Sequence, residues 1–153
     1  AAGKLTAVVT QNIDGLHQAA GSKKVLEVHG GVTRNYCMKC KRFFDGKWVM
    51  EQKAAGAAVP KCPDCGGTVK PDVVLYEEGL DQEVLSEAID HISRADLLIV
   101  GGTSLVVYPA AGLIDYFHGK YLVLINKSAT ARDSEADLVI TDPIGEVLSQ
   151  IRV

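Results

Sequence analysis

Two closely spaced cysteine pairs constrain this chain more than any other feature of its sequence. The pairs, Cys37-x-x-Cys40 and Cys62-x-x-Cys65, hold all four cysteines of the 153 residues. Each pair can turn tightly enough to point two thiolates at one ion, and two such turns complete a closed tetrahedral zinc site. Four unrelated free thiols would show no such spacing, and a thioredoxin-like redox centre would need only one pair. The spacing therefore predicts one structural zinc ion bound by all four cysteines.

The composition is that of a globular protein. Hydrophobic residues make up 47% of the chain and charged residues 23%, with a formal net charge of −3. This charge favours neither nucleic acid nor a membrane surface as a partner. No apolar run reaches the roughly 18 residues of a membrane span, and the N-terminus lacks a signal-peptide pattern. Because the cysteines are confined to residues 37–65, unlike those of a disulfide scaffold, we predict a cytoplasmic protein that binds neither nucleic acid nor membranes.

Several continuous apolar runs predict buried strands of a parallel sheet. They are Ala7–Thr10, Leu97–Val100, Tyr121–Ile125 and the shorter Leu138–Thr141, with Val25–Val28 and Val73–Tyr76 as weaker candidates. Strands that are buried on both faces need covering elements, so we expect helices between them.

Three helices are predicted after residue 80, and they alternate with the strands. They are Gln82–Ser93, capped by Asp81, then Pro109–His118 and Ile144–Ile151. This alternation predicts an α/β fold with a doubly wound, Rossmann-like parallel sheet. Residues 33–70 interrupt the pattern, so we predict a zinc-ribbon module at 33–70, inserted between a first part of the Rossmann-like domain at 1–32 and a second part at 71–153.

Polar segments follow three of the predicted strands, at the carboxyl ends where open α/β sheets bind ligands. These segments are Gln11-Asn12-Ile13-Asp14, Gly102-Thr103-Ser104 and Asn126. Backbone N–H groups and hydroxyls in a Gly-Thr-Ser turn suit phosphate or ribose oxygens. Such a turn is as often a plain connection, however, and an asparagine at a strand end is more typical of an ordinary turn.

A histidine, His29, follows the Val25–Val28 strand and precedes Gly30 and Gly31. A histidine at a strand end, beside glycines that let a ligand approach, could act as a general base near pH 7. Taken alone, the pattern favours a structural histidine over a base.

Together these motifs resemble the sirtuins, the Sir2-type NAD-dependent protein-lysine deacylases, and bacterial members in particular. The matching stretches are Thr10-Gln-Asn-Ile-Asp-Gly-Leu-His17, Leu26-Glu-Val-His-Gly30, the two cysteine pairs, Lys70-Pro-Asp-Val-Val-Leu-Tyr-Glu-Glu-Gly79, Gly102-Thr-Ser104 and Leu124-Ile-Asn126. They follow in order along essentially the whole chain. The resemblance implies the NAD-dependent removal of acetyl or other acyl groups from lysines of protein or peptide substrates, giving nicotinamide and O-acyl-ADP-ribose.

The resemblance also implies a role for each matching residue. His29 is expected to be the catalytic base, which in the family takes a proton from the nicotinamide-side ribose. The implied NAD contacts are Gln11, Asn12, Asp14, Gly102, Thr103, Ser104, Asn126 and, more loosely, Ile144. The implied peptide contacts are Val73, Val74, Leu75 and Tyr76 on one edge, with Val107 and Tyr108 on the other. Such edges bind through main-chain hydrogen bonds and so tolerate many sequences around the lysine.

Two departures from the family pattern bear on function. Glu77 stands where many members have glycine, so we expect a different contact at the peptide edge. The family begins with a Gly-Ala-Gly-Ile-Ser phosphate loop, and none precedes Ala1. We therefore expect a sheet that is incomplete at its N-terminus and a 153-residue chain that is inactive by itself. A fragment that keeps zinc and partial NAD or peptide binding is the alternative, and a zinc-ribbon interaction module would leave His29 unexplained.

Overall fold

Two parallel strands begin the fold in the computed structural model of this chain, which describes residues 3–152. β1 (Val8–Thr10) pairs with β2 (Val25–Glu27), and a short helix, α1 (Leu16–Ala19), connects them. The two strand predictions in this region are therefore confirmed to within a residue at each end. Residues 1, 2 and 153, at the ends of the predicted first and third parts, lie outside the described residues.

An antiparallel sheet in the order β4-β3-β5 follows and holds the cysteine pairs. Its elements are β3 (Gly30–Cys37), β4 (Phe43–Asp45), helix α2 (Gly46–Ala54) and β5 (Val69–Val73). Cys37, Phe44, Cys62 and Val69 are buried together, with Trp48 packed against them. The apolar pattern of the sequence does not predict β3, β4 or α2, because this small module buries a cysteine cluster rather than long apolar runs.

The predicted strand at Val73–Tyr76 is wrong beyond its first residue. β5 ends at Val73, and the chain then turns, with the N–H of Glu78 donating to the carbonyl oxygen of Leu75 at 3.1 Å. Glu77 has a positive φ of 70°, which no extended strand can contain. The turn therefore ends the strand despite the apolar residues that precede it.

A three-stranded parallel sheet in the order β6-β7-β8 forms the second half of the chain. Its elements are α3 (Gln82–Ser93), β6 (Leu97–Gly101), a 3₁₀ helix (Ala110–Tyr116), β7 (Tyr121–Ile125), a 3₁₀ turn (Asp133–Glu135), β8 (Leu138–Ile140) and α4 (Ile144–Ser149). Ile114, Leu122 and Leu124 form the buried core of this part. The alternation confirms the predicted α/β class, and none of the helices in the described residues has the length and hydrophobicity of a membrane span.

All three predicted helices are present, but one of them is a 3₁₀ helix rather than an α-helix. The carboxylate of Asp81 accepts hydrogen bonds from the N–H groups of Glu83 and Val84, at 2.9 and 3.2 Å, so the predicted cap of α3 is confirmed. The predicted helix Pro109–His118 is instead a shorter 3₁₀ helix. Gly112 in the middle of this segment disfavours a regular α-helix.

The expectation of full burial is wrong for both outer strands of this sheet, β6 and β8, and Leu138 on β8 is 50% exposed. Leu97 is 48% exposed and Ile99 is 41% exposed, whereas Leu124 on β7 is 1% exposed. In the described residues β6 lies at an edge of its sheet and β7 at the centre, which explains the difference. By contacts the chain divides into two units, Ala7–Val84 and a second one made of residues 85–152 with residues 3–6, and the sites below are described within each unit.

Candidate metal centre and catalytic site

The four cysteines form a cluster of the size that a zinc ion needs. All four sulfur atoms lie within 4.8 Å of one another, with Cys37 Sγ 3.4 Å from Cys65 Sγ and Cys40 Sγ 3.7 Å from Cys62 Sγ. Zn–S bonds of about 2.3 Å in a tetrahedron would separate the sulfurs by about 3.8 Å. The donor set therefore fits a closed zinc site, and four thiolates leave no open position for catalysis.

Two similar turns present the cysteines. The N–H of Lys41 donates to the carbonyl oxygen of Cys37, and the N–H of Gly66 donates to that of Cys62, each at 2.9 Å. Lys41 and Gly66 both have a positive φ, of 62° and 70°. A Cβ atom added at Gly67 would lie 2.7 Å from Cys37 Sγ. The second turn therefore needs glycine at residue 67, where the backbone packs directly on the cluster.

The thiols of the cluster differ in acidity because their hydrogen-bond partners differ. The backbone N–H of Cys40 donates toward Cys37 Sγ at 3.5 Å and lowers the pKa of Cys37 to about 6. At Cys40 the N–H of Arg42 acts in the same direction, but hydrogen bonds with the other sulfurs, Cys65 first, raise the pKa of Cys40 to about 12. Zinc binds thiolates, so binding of the ion to this cluster would release the proton that Cys40 holds.

His29 lies half-buried between β2 and β3. Its Nδ1 atom is 3.1 Å from the backbone carbonyl oxygen of Gln11. A carbonyl oxygen only accepts, so this contact places the proton on Nδ1 and the lone pair of the neutral ring on Nε2. The geometry therefore presents Nε2 as the atom that can take a proton.

Backbone contacts hold the loop of residues 11–14 beside His29. At one end of the loop is the Gln11 carbonyl that receives the His29 Nδ1 proton. Further along, the N–H of Val32 donates to the carbonyl oxygen of Ile13 at 2.9 Å. The loop after β1 is thus attached to His29 itself and to Val32, which follows the His29 turn.

Two side-chain oxygens at this loop accept hydrogen bonds from backbone N–H groups. The Thr10 hydroxyl accepts from the N–H of Asn12 at 3.0 Å, and one carboxylate oxygen of Asp14 accepts from the N–H of Leu16 at 2.9 Å. The side chains of Asn12 and Asp14 are exposed. The structure therefore brings the predicted residues Gln11, Asn12, Asp14 and His29 together in one unit.

In the other unit, the loop after β6 and the residue after β7 are joined by a pair of hydrogen bonds. The N–H of Thr103 donates to Asn126 Oδ1 at 3.1 Å, and Asn126 Nδ2 donates back to the Thr103 carbonyl oxygen. Gly102, with a φ of 65°, donates its N–H to the carbonyl oxygen of Ile125 at 3.2 Å. Gly102, Thr103 and Asn126 thus meet at the carboxyl ends of neighbouring strands, next to the exposed Ser104.

Ile144 lies at the same end of this sheet. It is the first residue of α4 rather than a residue ahead of it. A Cβ atom added at Gly101 would be 2.4 Å from Ile144 Cδ1, so the isoleucine side chain rests on the glycine at the end of β6.

The two predicted peptide-binding segments lie in different units. In the first, the N–H of Val74 donates to the carbonyl oxygen of His29 at 3.0 Å, while Leu75 and Tyr76 are exposed. Val73 is the last residue of β5. In the second unit, Val107 and Tyr108 are exposed and precede the 3₁₀ helix.

An ion-pair chain near His29 is not predicted by the motifs above. Arg34 Nη1 lies 2.6 Å from Glu27 Oε2, and Arg34 Nε lies 3.1 Å from Asp72 Oδ2. The side chain of Glu27 is only 4% exposed. The sequence feature that could have indicated this ion pair is a single glutamate within the apolar run before His29. A carboxylate buried in such a run needs a cationic partner.

Comparison with known proteins supports the resemblance. Residues 1–109 match the model of the Sir2 family. Among curated relatives, the NAD-dependent protein deacetylases of Clostridium perfringens and Clostridium acetobutylicum are 67% and 64% identical over 150 and 149 residues, which is 97% of this chain and 60% of each relative. The chain therefore spans about three fifths of the length of these relatives.

A solved structure shares the fold. A structure of Sir2 with a p53 peptide and NAD+ superimposes with a TM-score of 0.88 at 43% sequence identity. The match covers 95% of this chain and 61% of the solved chain. The chain therefore shares its fold with a structure determined with a peptide and NAD+.

Proposed function

Because this chain belongs to the Sir2 family, we propose that the protein is an NAD-dependent protein-lysine deacetylase. It would remove acetyl or related acyl groups and give nicotinamide and O-acyl-ADP-ribose. The observation that carries the proposal is the 3.1 Å contact between His29 Nδ1 and the Gln11 carbonyl oxygen, because it leaves Nε2 available as a base. The two Clostridium relatives are named for this activity, and the Sir2 structure contains NAD+ and a peptide.

In the proposed reaction His29 moves one proton. NAD, when bound, supplies the ADP-ribosyl group that takes up the acyl group as nicotinamide leaves. Nε2 of the neutral imidazole accepts the proton of a ribose hydroxyl, and the Gln11 carbonyl oxygen keeps the ring oriented by binding the Nδ1 proton. A protonated ring would have no lone pair on Nε2, so the neutral form is the active one.

The proposed NAD contacts lie in the two loops that follow parallel strands, as ligand sites of open α/β sheets do. Gln11, Asn12 and Asp14 would bind near nicotinamide and its ribose. On the adenosine side, the proposed contacts are Gly102, Thr103, Ser104, Asn126 and Ile144. The paired hydrogen bonds between Thr103 and Asn126 support this assignment, since they fix the shape of the loop backbone.

The acetylated peptide would bind to the segments Val73–Tyr76 and Val107–Tyr108. The hydrogen bond from Val74 to the His29 carbonyl supports the first assignment, because it places that segment next to the proposed base. Main-chain recognition would allow many protein substrates.

The zinc ion would be structural in this enzyme, since four thiolates satisfy it and the cluster stabilises its own module. The proposed layout remains a zinc module at 33–70 between two parts of a Rossmann-like domain at 1–32 and 71–153. We also propose a cytoplasmic location, which suits four cysteines that form no disulfide.

The direct test is nicotinamide release. The full-length gene product is incubated with NAD and an acetyl-lysine peptide, and nicotinamide and deacetylated peptide are measured by mass spectrometry. We expect equal amounts of the two products, and none when the peptide is omitted or carries unmodified lysine. Binding of NAD and peptide without turnover would favour the binding-only alternative. The 153-residue chain, assayed in parallel, tests the expectation that it is inactive by itself.

A further inference from the structure

Arg34 joins two carboxylates through different nitrogen atoms of one planar group. Its Nη1 binds Glu27 at 2.6 Å and its Nε binds Asp72 at 3.1 Å. The donors of a guanidinium group have a fixed geometry relative to one another. One rigid side chain therefore sets the spacing between Glu27, at the end of β2, and Asp72, on β5.

These two carboxylates flank the segments to which the proposed function assigns chemistry and substrate binding. Glu27 lies two residues before His29, and Asp72 lies immediately before Val73. The segments also meet directly, through the hydrogen bond from the N–H of Val74 to the His29 carbonyl oxygen. The ion pairs of the Arg34 side chain thus link the same two segments that this backbone hydrogen bond joins.

The sheet at this junction lacks regular pairing. Gly31 pairs with Asp72, but the next pair joins Asn35 to Pro71, so residues 32–34 of β3 lie in an irregularity of the ladder. Arg34 lies within this stretch. Where backbone pairing between β3 and β5 is interrupted, the Arg34–Asp72 contact connects the two strands instead.

The turn around His29 also packs closely on the partners of Arg34. A Cβ atom at Gly30 would lie 1.9 Å from the carbonyl oxygen of Asp72, and one at Gly31 would lie 3.0 Å from Glu27 Oε2. A displacement of either acidic residue would therefore reach the backbone that follows His29.

The two contacts of Arg34 differ in burial, and this separates a structural role from a positional one. The Glu27 side chain is 4% exposed, so its charge requires a cation for folding. The Asp72 side chain is 46% exposed, and such a pair adds little to stability. A purely structural arginine would need only the Glu27 contact.

We infer that Arg34 is a positioning residue that holds the base His29 in register with the peptide-binding segment Val73–Tyr76. The inference rests on the proposed function and extends it. Arg34 is not among the residues proposed to contact substrate or cofactor, and it acts through Glu27 and Asp72.

The test compares Arg34→Lys, Asp72→Ala and wild type in the full-length gene product. A lysine can neutralise Glu27, but as a point charge it cannot bridge both carboxylates. We expect both variants to melt close to wild type while kcat/KM for the acetyl-lysine peptide falls about tenfold, as small misplacements of reacting groups do. The KM for NAD should stay within about twofold. Wild-type kcat/KM in either variant would overturn the inference.

A matched control and a second variant keep the result interpretable. Arg94→Lys makes the same change in an exposed pair with Asp90 on α3, and it should leave kcat/KM unchanged. If Arg34→Lys is unstable, the double variant Glu27→Gln with Arg34→Met removes the buried charge pair together. We expect it to fold and to show the same tenfold loss, and wild-type activity would contradict the inference. Absence of nicotinamide release from wild type itself would instead refute the proposed function, and the inference with it.

Discussion

The backbone N–H of Val74 and the carbonyl oxygen of His29 form a 3.0 Å hydrogen bond. This bond joins the turn that carries the proposed base to the segment proposed to bind the peptide. On the other side of His29, Nδ1 is bound to the Gln11 carbonyl oxygen, in the loop proposed to bind the nicotinamide end of NAD. The histidine is therefore attached to both proposed substrate loops of its unit by hydrogen bonds to backbone groups.

We predict that His29→Ala lowers kcat about 10²- to 10⁴-fold, the usual contribution of a general base. The zinc content and the melting temperature should stay near wild type. Within the described residues, the half-buried ring would lose its hydrogen bond to the Gln11 carbonyl oxygen and no other. Steady-state deacetylation kinetics provide the measurement. His118→Ala, at an exposed histidine of the other unit, is the control. Near-normal turnover of the His29 variant would show that this histidine is structural.

We predict one zinc ion per chain, bound by all four cysteines. Metal analysis of the purified protein measures the stoichiometry, and thiol titration with and without a chelator measures protection of the cysteines. Cys37→Ala should unfold the zinc module, since Cys37 is fully buried and structural zinc contributes about 10 kcal/mol or more to folding. A stoichiometry near zero, or four reactive thiols before chelation, would contradict the prediction.

We predict that Asp14→Asn weakens the use of NAD more than that of the peptide. An asparagine keeps the side-chain oxygen that accepts the Leu16 N–H, so the variant removes charge without removing this contact. Initial rates with each substrate varied in turn give the two KM values. Gln18→Ala, an exposed position on α1, serves as the control. An increase confined to the KM of the peptide would argue against the assignment of this loop.

We predict that Glu77→Gly stabilises the protein by about 0.5–1 kcal/mol. Glu77 has a φ of 70°, and a left-handed conformation costs a non-glycine residue about 1–2 kcal/mol, part of which the entropy of glycine offsets. Urea unfolding followed by circular dichroism measures the change. Glu77→Ala keeps the unfavourable backbone and should show no such gain. An equal gain from alanine would attribute the effect to the lost side chain rather than to the backbone.

Local patterns in the sequence were sufficient to predict the elements whose structure depends mainly on neighbouring residues. The apolar run Tyr121–Ile125 became β7 with the predicted ends, and α3 spans Gln82–Ser93 with its Asp81 cap. The two cysteine pairs converge on one cluster, as their spacing predicts. In each case the prediction came from a pattern formed by residues close together in the sequence. The pattern was burial periodicity, a helix cap or the spacing of metal ligands.

Other features arose only when distant segments came together. The strand predicted at Val73–Tyr76 ends at Val73, where a turn with Glu77 at positive φ replaces it. The tautomer of His29 follows from a carbonyl 18 residues away, and Arg34 reaches Asp72 across 38 residues. The sequence thus determined the cysteine cluster, the main strands and the family, because local chemistry carries that information. The tertiary structure decided which polar groups face each other, because a hydrogen bond depends on the distance and direction between atoms that the folded backbone alone brings together.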